Sequence, residues 1–354
     1  MSRSLVRPSI LALDGYTPGE QPRAGARVVK LNTNENPYPP SPRVMEAVRA
    51  VPPHALQRYP QPMADDFRAA ASEVLGVPRE AILAGNGSDD ILTIATRTFL
   101  DPGDALAYPD PTYSLYPVLA RLQDAKVVTV AWGTDYALPI DALARSGARA
   151  IYLANPNAPT GTRVPASDVR ALARAFDGAL LVDEAYVDFA DDDCLALALE
   201  LPNVVVSRTF SKAYSLAGMR FGFAVSRPET IAEMVKVKDS YNCDAVSIAA
   251  ATAAIRDQDY ARTTWKKIRA ERARMTAALE ERGWRVLPSQ ANFLLATVPG
   301  GRAAEVHVTL KAAGVLVRYF KLPGLDDKLR ITVGTPEDTD ALLAALATAH
   351  GPSR

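Results

Sequence analysis

Two periods of apolar residues interleave along the chain. Short, nearly continuous apolar runs recur as AILAG, DALAYP, KVVTV, ARAIYLA, GALLVD, NVVVS and MRFGFAVS. Runs of this length and composition predict strands buried on both faces. Between them lie segments whose apolar residues fall at helical spacing, among them ADDFRAAASEVLG, NGSDDILTIATRTFL, SLYPVLARLQ and SDVRALARAF. Gly76 stands near the end of the first, where a helix stops easily. The alternation predicts an α/β fold with a mainly parallel sheet covered by helices on both faces.

Outside that block the pattern changes. Residues 1–40 are rich in Pro, Gly and Asn and read as an arm and loops. A helical pattern starts near Ser41, and a long helical region is expected from about Thr230 to Arg282. The tail then offers the strands NFLLATV, VLVRYF and LRITVG and the helices AAEVHVTLKAAG and PEDTDALLAALATAH, a small α+β unit.

Composition narrows the function. With 40 basic and 40 acidic residues, no global field draws the chain to nucleic acid or to an anionic membrane. No apolar run is long enough to span a bilayer. Two cysteines, Cys194 and Cys243, suit a reducing cytoplasm better than a disulfide scaffold. The three histidines are isolated from one another and from both cysteines, so no metal spacing exists.

Candidate chemistry gathers where expected strands end, the place where open α/β sheets bind ligands. GNGSDD (Gly85 to Asp90) joins a strand to a helix; Ser88 could cap that helix, and free N–H groups there suit a phosphate. NPNAPTG (Asn155 to Gly161) is rich in turn residues. DEAY (Asp183 to Tyr186) puts a carboxylate at the end of a buried strand, where it needs a partner. RTFSKAYSLAGMR places Lys212 among Thr209, Ser211 and Arg220, donors that suit an anion. One ligand satisfies all four segments: a phosphate for the hydroxyls and guanidinium, a ring nitrogen for Asp183, and an aldehyde for Lys212. That is pyridoxal 5'-phosphate.

These motifs, with VVKLNTNENPYPPSP, LQRYP, YPDPTYSLY, VLVRYF and LRITVGTPED, occur in one order over almost the whole chain. In this the chain resembles the fold-type-I aminotransferases, and within them the histidinol-phosphate aminotransferase family. The resemblance implies a seven-stranded, mainly parallel sheet in a large cofactor-binding domain over 41–250, whose first helix could instead join the small domain. An arm with substrate-side loops over 1–40 precedes it, and a linking helix with a small domain over 251–354 follows.

The resemblance also implies roles. Lys212 matches the lysine that forms the Schiff base and then moves protons. Asp183 matches the carboxylate that holds the pyridine nitrogen protonated, and Tyr186 the donor to the ring oxygen. Tyr113 matches the stacking aromatic. Gly87, Ser88, Asp89, Thr209, Ser211 and Arg220 match the phosphate cradle. Tyr59 matches a residue that reaches the phosphate of a second subunit, which implies a homodimer with shared sites. Tyr16, Asn34, Asn36, Arg318 and Arg330 match the substrate side, the arginines binding its anionic group. One position departs: the family usually has Asn directly before Pro-Thr-Gly, where this chain has Ala158, and Asn157 is the candidate substitute at the ring oxygen.

The implied reaction interconverts histidinol phosphate plus 2-oxoglutarate and imidazole acetol phosphate plus glutamate, in two half-reactions. Two alternatives share this branch. An aromatic aminotransferase would use the same arginine-lined pocket for the carboxylate of phenylalanine or tyrosine. A threonine-phosphate decarboxylase would use it for a phosphate.

Overall fold

The computed structural model describes residues 4–16, 18–22, 25 and 28–349. The chain begins with helix Pro8–Leu11 and strand β1 (Val29–Lys30), and then enters the helical and sheet block. All seven apolar runs form strands of one sheet: β2 (Ile82–Gly85), β3 (Ala105–Asp110), β4 (Lys126–Ala131), β5 (Ala150–Ala154), β6 (Ala179–Asp183), β7 (Val204–Thr209) and β8 (Gly222–Val225). Their order is β2-β8-β7-β6-β5-β3-β4. The pairs from β7 through β4 are parallel, and β8 runs antiparallel to both of its neighbours.

Alternation along the strands feeds two cores. Leu180, Val182, Val204 and Val206 face one layer with Phe67, Phe210 and Phe221. Leu181 and Val205 face the other, with Ile91, Tyr116 and Tyr152. Burial on both faces explains why these strands read as continuous apolar runs. Each buried Val or Leu contributes about 1.5–3 kcal/mol.

The remaining strands are β9 (Arg285–Val286), β10 (Phe293–Thr297), β11 (Val315–Leu316), β12 (Arg318–Tyr319) and β13 (Lys328–Thr332). Four of them form the antiparallel sheet β12-β13-β10-β9, packed with Met275, Leu279, Leu342 and Leu346. The fifth, β11, pairs in parallel with β1, so the N-terminal segment joins the C-terminal unit.

Two expectations change. VLVRYF is not one strand: it leaves β1 after Leu316 and joins β13 at Arg318, switching partners at Val317. The long helical region is three helices, Pro228–Val235, Ala245–Arg256 and Gln258–Glu280. The first break is the loop 236–244. Asp244 caps the next helix through the Ser247 amide (2.8 Å), and Asn242 donates to Asp90 (2.9 Å). The second break is Asp257, which leaves helical geometry at φ −96°, ψ 62° and accepts from the Ser41 hydroxyl. Helix Pro42–Arg49 buries Val44 in the core shared with Phe67 and Ala251.

Candidate functional site

A cavity of about 510 Å³ opens at the carboxyl ends of β5, β6 and β7, between the large sheet and the small C-terminal sheet. Its size lies in the usual range of ligand pockets. Of the expected site residues, Tyr16, Asn34, Ser88, Asp89, Tyr113, Asp183, Tyr186, Thr209, Ser211, Lys212, Arg220, Arg318 and Arg330 line it.

One wall is a polar cradle. Gly87, at φ +88°, is the N-cap of helix Ser88–Phe99. The positive φ is what calls for glycine here; a Cβ would also stand 2.7 Å from the Arg220 guanidinium, which lies close over this turn. Ser88 is therefore the first helical residue and not the cap; its side chain makes no capping bond. Gly222 on β8 lets the strand pass directly under this turn, since a Cβ would sit 2.6 Å from the Ser88 amide nitrogen. Arg220 is itself left-handed (φ 49°) and donates to Ser211 Oγ at 3.2 Å. Thr209 Oγ1 donates to the same oxygen at 3.1 Å. Free amides at a helix start, two hydroxyls and a guanidinium make an anion site.

Asp183 ends β6 and is 4% exposed. It accepts from Tyr116 OH (3.1 Å) and Ser207 Oγ (3.3 Å). Among the described residues it has no ion-pair partner. Burial pushes its carboxyl up to about 6, against the lowering bond from Tyr116. A dry carboxylate that faces a cavity and forms no ion pair with the side chains around it calls for a cationic donor bound in that cavity. Tyr116 is a site residue that the sequence reading passed over as part of a helix; its place three residues after Tyr113 was the available signal.

Lys212 donates from Nζ to the Thr33 carbonyl at 3.0 Å and stands 5.8 Å from the Tyr186 ring centre. Burial, and then the Arg330 charge, lower its pKa to about 8, while Glu35 and Asp89 pull the other way. A neutral amine is thus accessible near neutrality, as a nucleophile or base requires. Thr33, which supplies the carbonyl, was not singled out from sequence, because a backbone acceptor leaves no side-chain signature.

Asn34, at φ 57°, donates from Nδ2 to Tyr186 OH at 3.0 Å. Its own position is set by Thr332 Oγ1, which donates to its side-chain oxygen, and by Asn292, which donates to its carbonyl. Burial raises the Tyr186 pKa, with Arg330 and Asn34 opposing. Tyr113 donates to Asp89 at 3.1 Å and meets the Tyr16 ring edge-on at 5.9 Å.

Arg318 and Arg330 face each other in register across β12 and β13. Like charges directly opposite repel, and an anion between them would reverse that cost. Arg330 lies over Phe293 and Phe320, donates to the Asn32 carbonyl at 3.0 Å, and keeps a buried Nε without a hydrogen-bond partner. Arg318 donates to the Pro18 carbonyl.

Three expected residues stand elsewhere. Asn157 is fully buried behind the wall: its amide donates to Pro111 O and Thr160 Oγ1 and accepts from Thr112 Oγ1. Both of its N–H donors are used inside the turn, and it does not line the cavity. The neighbouring Ala158 lines the cavity instead. Asn36 also lies off the cavity, donating to the Ala213 carbonyl (3.2 Å) and so pinning the residue after Lys212. Tyr59 is 80% exposed, outside the cavity of its own chain, and stacked on Tyr241 at 4.4 Å.

The cavity thus holds an anion cradle, a dry carboxylate, a lowered-pKa amine and a facing pair of guanidiniums. A planar cation with a phosphate fits the first three.

Comparison with known proteins agrees with that arrangement. The family described as aminotransferase class I and II matches residues 26–346. Histidinol-phosphate aminotransferase 1 of Trichormus variabilis is 45% identical over 340 residues, 96% of this chain and 97% of that protein. The histidinol-phosphate aminotransferase of Rhodopirellula baltica is also 45% identical, over 97% and 95% of the two chains. The crystal structure of the Sinorhizobium meliloti histidinol-phosphate aminotransferase, in complex with pyridoxal-5'-phosphate, superposes with a TM-score of 0.89 at 28% identity, covering 98% of both chains.

Proposed function

The chain belongs to the class I and II aminotransferases, and from that premise we propose that it exchanges an amino group between histidinol phosphate and 2-oxoglutarate on pyridoxal phosphate tethered at Lys212. The cofactor assignment is carried by the buried, unpaired Asp183 carboxylate sharing a cavity with Lys212. The substrate assignment follows the relatives' activity and is supported by the opposed Arg318 and Arg330.

The bound cofactor supplies an electron-withdrawing ring that spreads the charge left on the substrate Cα when its proton departs. The protein's residues do the rest. Asp183 would accept a hydrogen bond from the ring nitrogen and so keep that nitrogen protonated. Lys212 Nζ would take the Cα proton and deliver it across the transferred nitrogen to the carbon on its other side, acting as base and then acid. Tyr186, held by Asn34, would donate its hydroxyl to the ring oxygen. With Asn157 occupied elsewhere and an alanine at 158, Tyr186 would carry that oxygen, with Asn34 holding Tyr186. Arg318 and Arg330 grip the substrate's anionic group, so the Cα–H bond is presented to Lys212 rather than to water.

The assembly we propose is a homodimer. The support is Tyr59 and Tyr241, an exposed aromatic stack that lies outside its own cavity and is available to a second copy. Sedimentation equilibrium tests it, and a monomer at assay concentration would sink it. Both thiols are free and buried, in keeping with a cytoplasmic setting; no helix among the described residues is long and apolar enough to cross a membrane.

The test of function is a half-reaction screen. The visible absorbance of loaded protein is followed as histidinol phosphate, phenylalanine, tyrosine and threonine phosphate are offered separately. Histidinol phosphate should bleach the band at the lowest concentration. Preferential reaction with phenylalanine or tyrosine would reassign the substrate, and carbon dioxide released from threonine phosphate would reassign the reaction.

A further inference from the structure

Asp89 puts a negative charge where an anion is expected to bind. It is the second residue of helix Ser88–Phe99, it lines the cavity, and its two carboxylate oxygens do different things. Oδ1 accepts from Tyr113 OH at 3.1 Å. Oδ2 accepts from Arg220 NH2 at 3.4 Å. Arg220 is the only guanidinium in the cradle wall described above, and its other terminal nitrogen reaches Ser211 Oγ. Acidic residues in a first turn favour the helix dipole, but that role asks nothing of Tyr113 or Arg220. The same charge reaches deeper, favouring the protonated forms of both Lys212 and Asp183.

We propose that Asp89 is a positioning residue that links the two ends of the cofactor site. In the unloaded protein it holds the Arg220 guanidinium over Gly87 and fixes the Tyr113 hydroxyl, and it yields Arg220 when a phosphate arrives. Arg220 is half-exposed, and besides Asp89 its guanidinium donates to Ser211 Oγ and to the Ala217 carbonyl, both from its other terminal nitrogen. Its backbone is left-handed and its guanidinium already fills the space above Gly87. Tyr113 is held on its other sides by the edges of Tyr16 (5.9 Å) and Tyr116 (5.6 Å). The Asp89 bond therefore sets the remaining freedom, the rotation and tilt of the ring about its hydroxyl end. The arrangement has a cost: carboxylate and phosphate compete for one guanidinium, so the site is preformed at some expense of anion affinity.

The inference rests on the cofactor assignment above, and two variants separate its parts. Asp89→Asn keeps an acceptor oxygen for Tyr113 but removes the charge. Asp89→Ala removes both. Inorganic phosphate binding to unloaded protein, measured by calorimetry, should tighten about five- to tenfold in Asp89→Asn. The visible circular dichroism of the loaded protein should stay near wild type in Asp89→Asn and fall by half or more in Asp89→Ala, because only the alanine frees Tyr113. Thermal unfolding of both variants identifies any variant that is not folded. Should Asp89→Ala fail to fold, Tyr113→Phe takes its place and should give the same loss of dichroism. Unchanged or weaker phosphate binding in Asp89→Asn would overturn the inference, as would wild-type dichroism in Asp89→Ala or its substitute. If wild-type protein gives no visible band with pyridoxal phosphate, the cofactor assignment fails instead. The phosphate measurement still judges the Asp89–Arg220 link in that case.

Discussion

Asp183 and Glu184 are adjacent carboxylates on one strand end, both almost completely buried, and they live in opposite surroundings. Glu184 faces away from the cavity and has a cation for a partner, although burial still pushes its carboxyl up to about 7 against the pull of Arg208. Arg208 donates to it from Nε at 2.9 Å, and the Arg208 NH2 group forms ion pairs with the same Glu184 oxygen at 2.8 Å and with Asp193 at 2.9 Å. Burial alone would lower the Arg208 pKa, but Glu184, Asp188 and Asp193 outweigh it and hold the group firmly cationic. Asp183 faces the cavity with two hydroxyl donors and no cation. The β6–β7 register puts both contrasts side by side, with Asp183 beside Ser207 and Glu184 one step on, beside Arg208. A buried charge answered by protein holds the fold together; one left unanswered beside a cavity is kept for a ligand.

The sharpest break of this contrast is on the ligand side. Lys212→Ala should remove the visible band and cut transamination by roughly 10⁴-fold, since one group supplies both tether and proton transfer. Stopped-flow absorbance checks both, and surviving turnover would remove Lys212 from the mechanism. Next comes the structural side. Arg208→Met leaves Glu184 and Asp193 without their cation and should cost about 3–5 kcal/mol of stability in urea unfolding. The fraction that stays folded should keep its cofactor and a kcat within about tenfold of wild type. Asp183→Asn should do the reverse. Activity should drop by about 10²- to 10³-fold, while the unloaded protein unfolds at the same or higher urea concentration, because an unpaired buried charge has gone. If Asp183→Asn destabilises as much as Arg208→Met, the two carboxylates are not the different kinds of group claimed here.

How much of this was legible in the sequence follows the same division. The seven strands were, because burial on both faces writes continuous apolar runs. So was the gathering of Asp183, Thr209, Ser211, Lys212 and Arg220 around one cavity, because strand ends in such a sheet converge. Properties that depend on where a side chain is used up were hidden. Asn157 looked available until its amide proved to be bonded to Pro111, Thr112 and Thr160. Ser88 looked like a cap until Gly87 took that position so that Arg220 could lie over it. VLVRYF looked like one strand because nothing local marks a change of partner at Val317. The Thr33 carbonyl against Lys212 is a contact between residues 179 apart and involves no side chain at one end.

On the substrate side, Arg330→Lys tests whether the opposed guanidiniums form one anion clamp. Lysine keeps the charge but loses the planar, two-pronged donor set and its packing over Phe293 and Phe320. KM for the phosphorylated substrate should rise about 10- to 100-fold, with kcat changing less. An equal fall in kcat with KM unchanged would place Arg330 on the transition state and not on the ground-state anion.

The smallest effect concerns the lysine in the unloaded protein. Burial and Arg330 depress its pKa to about 8 from the ordinary 10.5. Between those values the unfolded chain binds more protons than the folded one, so stability must rise with pH across that window. Below pH 8 the folded protein carries the whole penalty of a cation in a poorly solvated place. Two and a half pH units correspond to about 3 kcal/mol, and access of water to the open cavity reduces this to about 1–2 kcal/mol. Lys212→Met should therefore stabilise the unloaded protein by that amount at pH 7, measured by urea unfolding. The gain should shrink toward zero as the pH is raised to 10.5. A gain that did not change with pH would mean that methionine merely packs better, and that Lys212 is no more strained than a surface lysine.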